Sequence, residues 1–287
     1  MEDANLTMTP DSIPSLQPIS DGIWRVRDIP DVSYPSDGLE ECAAFEDASF
    51  WFAHRNQVIS SSLDRHGVSG RFVDVGGGNG FVARMLGSRG ISAWLVEPDP
   101  AGVEIAHDRG VPIAICGVLE SVCFPNDSFD AVGAFDVLEH IEDPLAVCRE
   151  ARRILRPGGH LLVTVPAWQF LWSQDDVRAG HFKRYSPSSL RHLLESAGLQ
   201  VVELQTFFAA LVLPILFFKS LPYRVGIKRR RPLSVAIADH QPKTGIIGKL
   251  IQRSLNRELG RHSKTNRFWI GSSLLAVAKR PVDGTNH

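Results

Sequence analysis

Short apolar runs and stretches of helical spacing take turns along most of this chain. Phe72, Val73 and Val75, broken by Asp74, read as a buried strand that runs into the turn Gly76-Gly77-Gly78-Asn79-Gly80. Phe81-Val82-Ala83-Arg84-Met85-Leu86 then has the apolar spacing of a helix start. The alternation continues. Ile91 to Val96 reads as a strand, and Pro100 to about Arg109 as a helix closed by Gly110. Val111 to Ile115 and Ser128 to Phe135 read as strands, the second beyond the turn Pro125-Asn126-Asp127. Asp143-Pro144 opens a helix that must close before Pro157-Gly158-Gly159. His160 to Val165 is a fifth strand. Pro187 to Ala197 is a helix with Ser186 as N-cap and Gly198 as stop, and Leu199 to Leu204 is a sixth strand. Strands alternating with helices in this way predict an α/β fold, a doubly wound and mostly parallel sheet.

The ends of the chain break the rhythm. Residues 1 to 38 are rich in Pro, Asp and Ser, and Pro10, Pro14, Pro18, Pro30 and Pro35 forbid a long helix. This stretch reads as a flexible or surface-draped arm with Trp24 as an anchor. Leu39 to His66 has helical spacing, ends at Gly67, and is loaded with Phe45, Phe50, Trp51, Phe52 and Ile59. It is either a helix packed on the sheet edge or a lid over a ligand, with His54, Arg55 and Asn56 offered for polar contacts. Ile270 to Ala278 is the last strand.

Charge changes the picture in one place. The formal net charge is −1, yet Arg224 to Arg267 holds twelve Lys/Arg against Asp239 and Glu258. Such segregation serves a partner. Just before it, Phe207 to Phe218 is strongly apolar but too short, and too interrupted by Pro214, to span a membrane. An interfacial segment, a lid over a greasy substrate and a buried core helix all fit. No aromatic-basic interleaving supports nucleic acid as a partner. Cys42, Cys116, Cys123 and Cys148 are scattered, which suits reduced thiols rather than metal ligands, and no metal centre is expected. The start of the chain lacks the basic-then-apolar order of a signal peptide, so a cytoplasmic protein is expected, with a peripheral contact at the inner face of the membrane.

Strand, glycine turn and helix form the usual cradle for a nucleotide-like ligand, because bare backbone N–H groups and a helix N-terminus face it. Gly78-Asn79-Gly80-Phe81-Val82-Ala83 also fits the loose dinucleotide pattern. Asp74 argues otherwise: a carboxylate at the turn repels a pyrophosphate but suits an ammonium. Asp74-Val75-Gly76-Gly77-Gly78-Asn79-Gly80 resembles the D/E-x-G-x-G-x-G motif of class I S-adenosylmethionine-dependent methyltransferases. Further along, Gly117-Val118-Leu119-Glu120 with Phe124-Pro125-Asn126-Asp127-Ser128-Phe129-Asp130 resembles that family's next segment. Phe129-Asp130 to Leu138-Glu139-His140 and Leu155-Arg156-Pro157-Gly158-Gly159 are similar to the two that follow.

The resemblance implies a seven-stranded Rossmann-like sheet whose last strand is antiparallel. Residues 39–206 and 268–280 would then form the methyltransferase domain, with 39–67 as a helical lid and 207–267 as an insertion at the substrate rim. It implies S-adenosyl-L-methionine as cofactor, held by Asp74, Gly76, Gly78, Gly80 and Asp136, with Glu97 on the ribose. Many relatives have an acid where this chain has Val118, so adenine would rely on backbone groups of Val118 and Leu119, on apolar contacts, or on Glu120.

Methyl transfer to a hydroxyl needs alignment and a proton acceptor. Asp136, His140 and His181 are the candidate catalytic residues; His140 also reads as structural, being part of the common L-E-H motif. The loop from Trp168 to Tyr185 resembles that of a bacterial subgroup associated with surface glycans and lipid carriers. Trp168, Trp172, Lys183, Arg184 and Tyr185 are its candidate substrate contacts, the cations facing a phosphate or carboxylate; a flap pairing its own charges is the alternative. The implied activity is methyl transfer to a small-molecule or lipid- or glycan-linked acceptor, at oxygen first, at carbon or nitrogen otherwise. A nicotinamide oxidoreductase or a catalytically silent partner subunit are the readings of a different class.

Overall fold

The computed structural model describes residues 8–27, 46, 49–227, 245–262 and 270–282. One sheet of nine strands organises them: β1 (Leu16–Ser20), β2 (Ile23–Val26), β3 (Arg71–Val75), β4 (Ser92–Glu97), β5 (Ile113–Cys116), β6 (Phe129–Phe135), β7 (Leu155–Pro166), β8 (Gln200–Phe207) and β9 (Ser273–Lys279). Their order is β1-β2-β5-β4-β3-β6-β7-β9-β8. The stretch from β5 to β8 is the expected seven-stranded sheet, with β9 antiparallel to both β7 and β8. The chain runs outward from β3 through β4 to β5, then returns to β6 on the other side of β3. Ligands bind at such a reversal, beyond the C-terminal ends of the strands.

Residue parity sorts the side chains onto two faces. Phe72, Leu95, Phe135 and Val277 join α1 (Phe50–His66), α2 (Phe81–Ser88) and α3 (Pro100–Asp108) in one apolar cluster. Val73, Trp94, Val132 and Val163 pack with α4 (Leu119–Val122), α5 (Pro144–Ile154) and α7 (Pro187–Ser196) in the other. The short α6 (Gln174–Arg178) lies in the loop between β7 and α7. Asp74 shares parity with Phe72, and Glu97 with Leu95, so both acids sit on the α1 face.

Three differences from the sequence reading have local causes. The described part of the proline-rich arm is sheet: β1 and β2 form a hairpin, and β2 pairs in parallel with β5. Pro18 is tolerated because β1 is the edge strand. Strand β7 starts at Leu155 rather than His160, because Gly158 and Gly159 exchange backbone hydrogen bonds with Arg280. The lid helix begins at Phe50, where the Ser49 hydroxyl accepts from the N–H groups of Trp51 and Phe52; residues 39–45 lie outside the described part.

Between β8 and β9 the chain forms an unbroken helical run through Ala209–Leu211, Val212–Ile215, Leu216–Ser220 and Leu221–Arg224, then α8 (Gly245–His262). Helix α8 buries Leu255 on the α1 side and brings Glu258 to 3.4 Å from His54. The apolar insertion is therefore split. Phe207 and Phe208 are core, Phe208 stacking on Trp51 with centroids 5.5 Å apart, whereas Phe217 and Phe218 are exposed. The basic run Lys228 to Arg231 lies outside the described residues.

Candidate active site

The glycine turn owes its path to backbone freedom. Gly76 (φ 61°) and Gly80 (φ 72°) are left-handed, and a Cβ on either would come within 2.7 Å of Val137 or Ala106 respectively. Gly78 is left-handed as well, and its N–H donates to Glu97 Oε2 at 2.9 Å. The other Glu97 oxygen accepts from the Asp99 N–H at 3.0 Å. Glu97 thus closes the loop onto the tip of β4, where the sequence assigns it a ribose. Burial pushes its carboxyl up to about 7, against the two backbone bonds.

Asp74 is 1 % exposed, and its Oδ2 has no hydrogen-bond partner. Burial raises its carboxyl to about 7, with Arg55 pulling down and Glu97 pushing up. A buried acceptor without a donor is costly unless a ligand supplies one. An ammonium entering beside the glycine turn would do so. The site therefore fits S-adenosylmethionine at its amino-acid end.

Above Asp74 stands Arg55 of α1. Its guanidinium pairs with Asp136 at 2.6 Å and lies 5.0 and 5.1 Å from the ring centroids of Trp51 and Phe52. Asp136 takes a left-handed backbone (φ 59°) at the end of β6, rare for a non-glycine residue and common at functional turns. Asn56 reaches the Phe81 carbonyl at 3.3 Å, and Arg109 joins Glu46 to the Asn79 carbonyl. Helix α1 thus lies across the turn. The sequence offered Arg55 only as one of three polar groups; its pairing with Asp136 spans 81 positions and leaves no local signal.

The loop from Trp168 to Tyr185, where the sequence predicts acceptor contacts, is a charge network. Asp176, 1 % exposed, binds His181 Nδ1 at 3.0 Å and Arg184 at 2.7 and 3.0 Å, and accepts from the N–H of the N-cap Ser173 at 2.8 Å. Burial pushes its carboxyl up, but the His181 and Arg184 bonds outweigh it and hold the group below its ordinary value. The His181 ring packs edge-on against His140, centroids 4.7 Å apart. Burial, then the neighbouring His181, lower His140 to about 4, so it is neutral at pH 7. Glu139 lies beside them, raised well above its ordinary value by burial and then by Asp136. One ligand atom each from Glu139, His140 and His181 falls within 4.8 Å of the others, a set that could hold a metal ion where the sequence suggests none.

Of the other residues singled out by sequence, Val118 is half-buried at the end of β5, but the Leu119 side chain is core and can offer adenine only its backbone. Arg184 is tied to Asp176 rather than free for a phosphate. Tyr185 is buried, donates to the Leu138 carbonyl at 3.0 Å, and has its phenol raised by burial, so it braces the loop. Trp168 (φ 64°) donates to the Gly271 carbonyl and stacks on Phe170; Trp172 and Lys183 are half-exposed, Lys183 lying 5.2 Å from the Tyr185 ring centroid. Sequence reasoning missed Asp176 and Glu139 as site residues. Asp176 left a faint signal, a capping acid five residues before a histidine; Glu139 stood in the quoted L-E-H motif.

Known proteins resemble this chain in sequence and in fold. A family model described as a methyltransferase domain matches residues 51–204. A ubiquinone biosynthesis O-methyltransferase of Xanthomonas oryzae is 31 % identical over 145 residues, covering 48 % of this chain and 60 % of that protein. A probable S-adenosylmethionine-dependent methyltransferase of Mycolicibacterium smegmatis is 30 % identical over 171 residues, covering 58 % and 66 %. The chain thus spans about three-fifths of the length of these curated relatives. The fold is similar to a Haemonchus contortus phosphoethanolamine N-methyltransferase bound to S-adenosyl-L-methionine (TM-score 0.55, 19 % identity, 87 % of this chain and 58 % of that one). It is also similar to a Streptomyces coelicolor geranyl diphosphate C-methyltransferase (TM-score 0.51, 16 % identity, 79 % and 80 %). With its glycine turn, its buried acid and more than half its length matched, the chain belongs to the methyltransferase-domain family of class I S-adenosylmethionine-dependent enzymes.

Proposed function

We propose that this chain methylates a hydroxyl oxygen of a small-molecule or lipid-linked acceptor, with His181 as the proton acceptor. The supporting observation is the Asp176–His181 pair. A buried carboxylate on Nδ1 fixes the imidazole's orientation and takes up that nitrogen, leaving Nε2 as the atom that can accept a proton. When bound, S-adenosylmethionine supplies the methyl group. Asp74, Gly76, Gly78 and Gly80 hold its amino-acid end, Glu97 and the backbone at Val118 its nucleoside end. Arg55 and Asp136 close the lid over it. His140, neutral, packs beside the base without competing for its proton. Trp168, Trp172 and Lys183 remain the acceptor contacts, framed by Arg184 and Tyr185.

Hydroxyl acceptors, aromatic and polyprenyl-linked, are incubated with methyl-labelled S-adenosylmethionine next to their amine counterparts. The reading requires label in the hydroxyl series and a loss of about a hundredfold or more in His181→Ala. Label in the amines alone, or full turnover without His181, would establish an N- or C-methyl transfer that needs no strong base.

A further inference from the structure

The helical run after β8 carries an apolar face that no described residue covers. Leu213, Phe217, Leu221 and Val225 recur at steps of four, with Phe218 and Ile227 beside them. All six are exposed, Leu213, Phe217, Phe218 and Val225 by 56 to 72 %. Scattered apolar residues are normal on a protein surface, but a contiguous face of this size marks an interaction site.

This face is not a fraying end. On the other side of the run Val212 and Ser220 are buried, and the Ser220 hydroxyl donates to the Leu171 carbonyl at 2.8 Å. Lys219 pairs with Asp175 at 2.9 Å, and Arg224 donates to the Phe170 carbonyl at 2.9 Å. The run is fastened to the loop that carries Asp176 and His181. Its free face therefore lies on the acceptor side of the molecule.

Charge selects the occupant. Arg224 is exposed, and directly after Ile227 the sequence reads Lys228-Arg229-Arg230-Arg231, outside the described residues. An apolar contact with a second copy of this chain would bring like charges together at its rim. Anionic lipid headgroups meet cations at the depth where phenylalanine and leucine side chains enter the interface. No helix among the described residues is long and apolar enough to cross a membrane, so the contact would be peripheral.

We propose that the face formed by Leu213, Phe217, Phe218, Leu221, Val225 and Ile227 docks on an anionic lipid surface. Docking needs no assumption about the acceptor; delivery of a lipid-linked acceptor to His181 rests on the preceding reading.

Flotation of the full chain with vesicles of phosphatidylcholine, alone or mixed with phosphatidylglycerol, tests this. Binding should occur on the mixed vesicles only and weaken with salt. The double substitution Phe217→Ser and Phe218→Ser should reduce it at least about tenfold, since each removes a buried phenyl group from the bound state. Arg229→Ser with Arg230→Ser and Arg231→Ser should do the same. Both phenylalanines are exposed, so the melting curve and the affinity for S-adenosylhomocysteine should stay as in wild type, which verifies the fold. Equal flotation on both vesicle types, none on either, or undiminished flotation of the double variant overturns the proposal. So does a wild-type dimer in sedimentation that the double variant dissolves, because the face would then join two copies. S-adenosylhomocysteine binding is read separately: its failure in wild type would sink the methyltransferase assignment and leave the flotation result standing.

Discussion

The two sides of the crevice are built by opposite means. On the cofactor side the backbone does the shaping, through left-handed glycines and a strand tip, and Asp74 is left buried with an unbonded oxygen. On the acceptor side the side chains satisfy one another: Asp176 serves His181, Arg184 and Ser173 at once. The first arrangement leaves Asp74 short of a donor where the ligand enters; the second closes around Asp176, although Glu139 beside it keeps one buried oxygen unbonded. Mutations on the two sides should therefore fail in different ways.

The largest effect is expected from Asp176→Ala. It strands the Arg184 cation in a half-buried place and unties His181, so stability should drop by about 3–5 kcal/mol, the scale for breaking a buried pair. Denaturant titration measures it. A loss below about 1 kcal/mol would mean that the loop pairs its charges at the surface, where such bonds are weak.

Next in size is Asp74→Ala, which should work in opposite directions on binding and on folding. Cofactor affinity should fall by at least about 1.5 kcal/mol, the scale of a charge-assisted hydrogen bond. The cofactor-free protein should melt higher, because burial of this carboxyl, with one oxygen unbonded, outweighs its backbone bond to Ala83 and its attraction to Arg55. A lower melting temperature would show that the Ala83 bond and Arg55 outweigh the cost of burying Asp74.

The same acid gives a pH dependence. Its carboxyl is raised from 3.8 to about 7, so its contribution to the stability of the free protein is full below 3.8 and lost as pH rises through about 7. An ammonium ligand favours the ionised form, so affinity for S-adenosylhomocysteine should rise as pH passes through about 7, with protons released on binding. Calorimetry in two buffers of different ionisation enthalpy counts those protons; uptake instead of release would contradict the electrostatics.

The smallest effect is expected from Glu97→Ala, read as discrimination between S-adenosylhomocysteine and its 2′-deoxy analogue. Wild type should prefer the ribose form and the variant should not. Equal discrimination by both would leave Glu97 as a brace for Gly78 and Asp99 alone.

What the sequence made legible follows the same division. The glycine turn, the strand alternation and the L-E-H segment are local patterns, and each reappears within a few residues of where it was read. Arg55 meeting Asp136, or Asp74 left with an unbonded Oδ2, depends on which helix crosses the turn, and no spacing in the chain encodes that. The β1–β2 hairpin was hidden by Pro18 and by a strand whose residues after Leu16 are exposed, so no alternation marked it. The Trp168 to Tyr185 loop was legible as special, with a flap pairing its own charges as the alternative reading, but which charges pair was not legible. Arg184 and Tyr185, read as substrate contacts, turn inward to Asp176 and Leu138.

The most direct test of this division is S-adenosylhomocysteine binding measured by calorimetry on Asp74→Ala and His181→Ala side by side. Asp74→Ala should lose at least about tenfold in affinity, while His181→Ala, which removes the proposed base for the acceptor, should bind as wild type does. Comparable losses in both, or a loss confined to His181→Ala, would contradict the account.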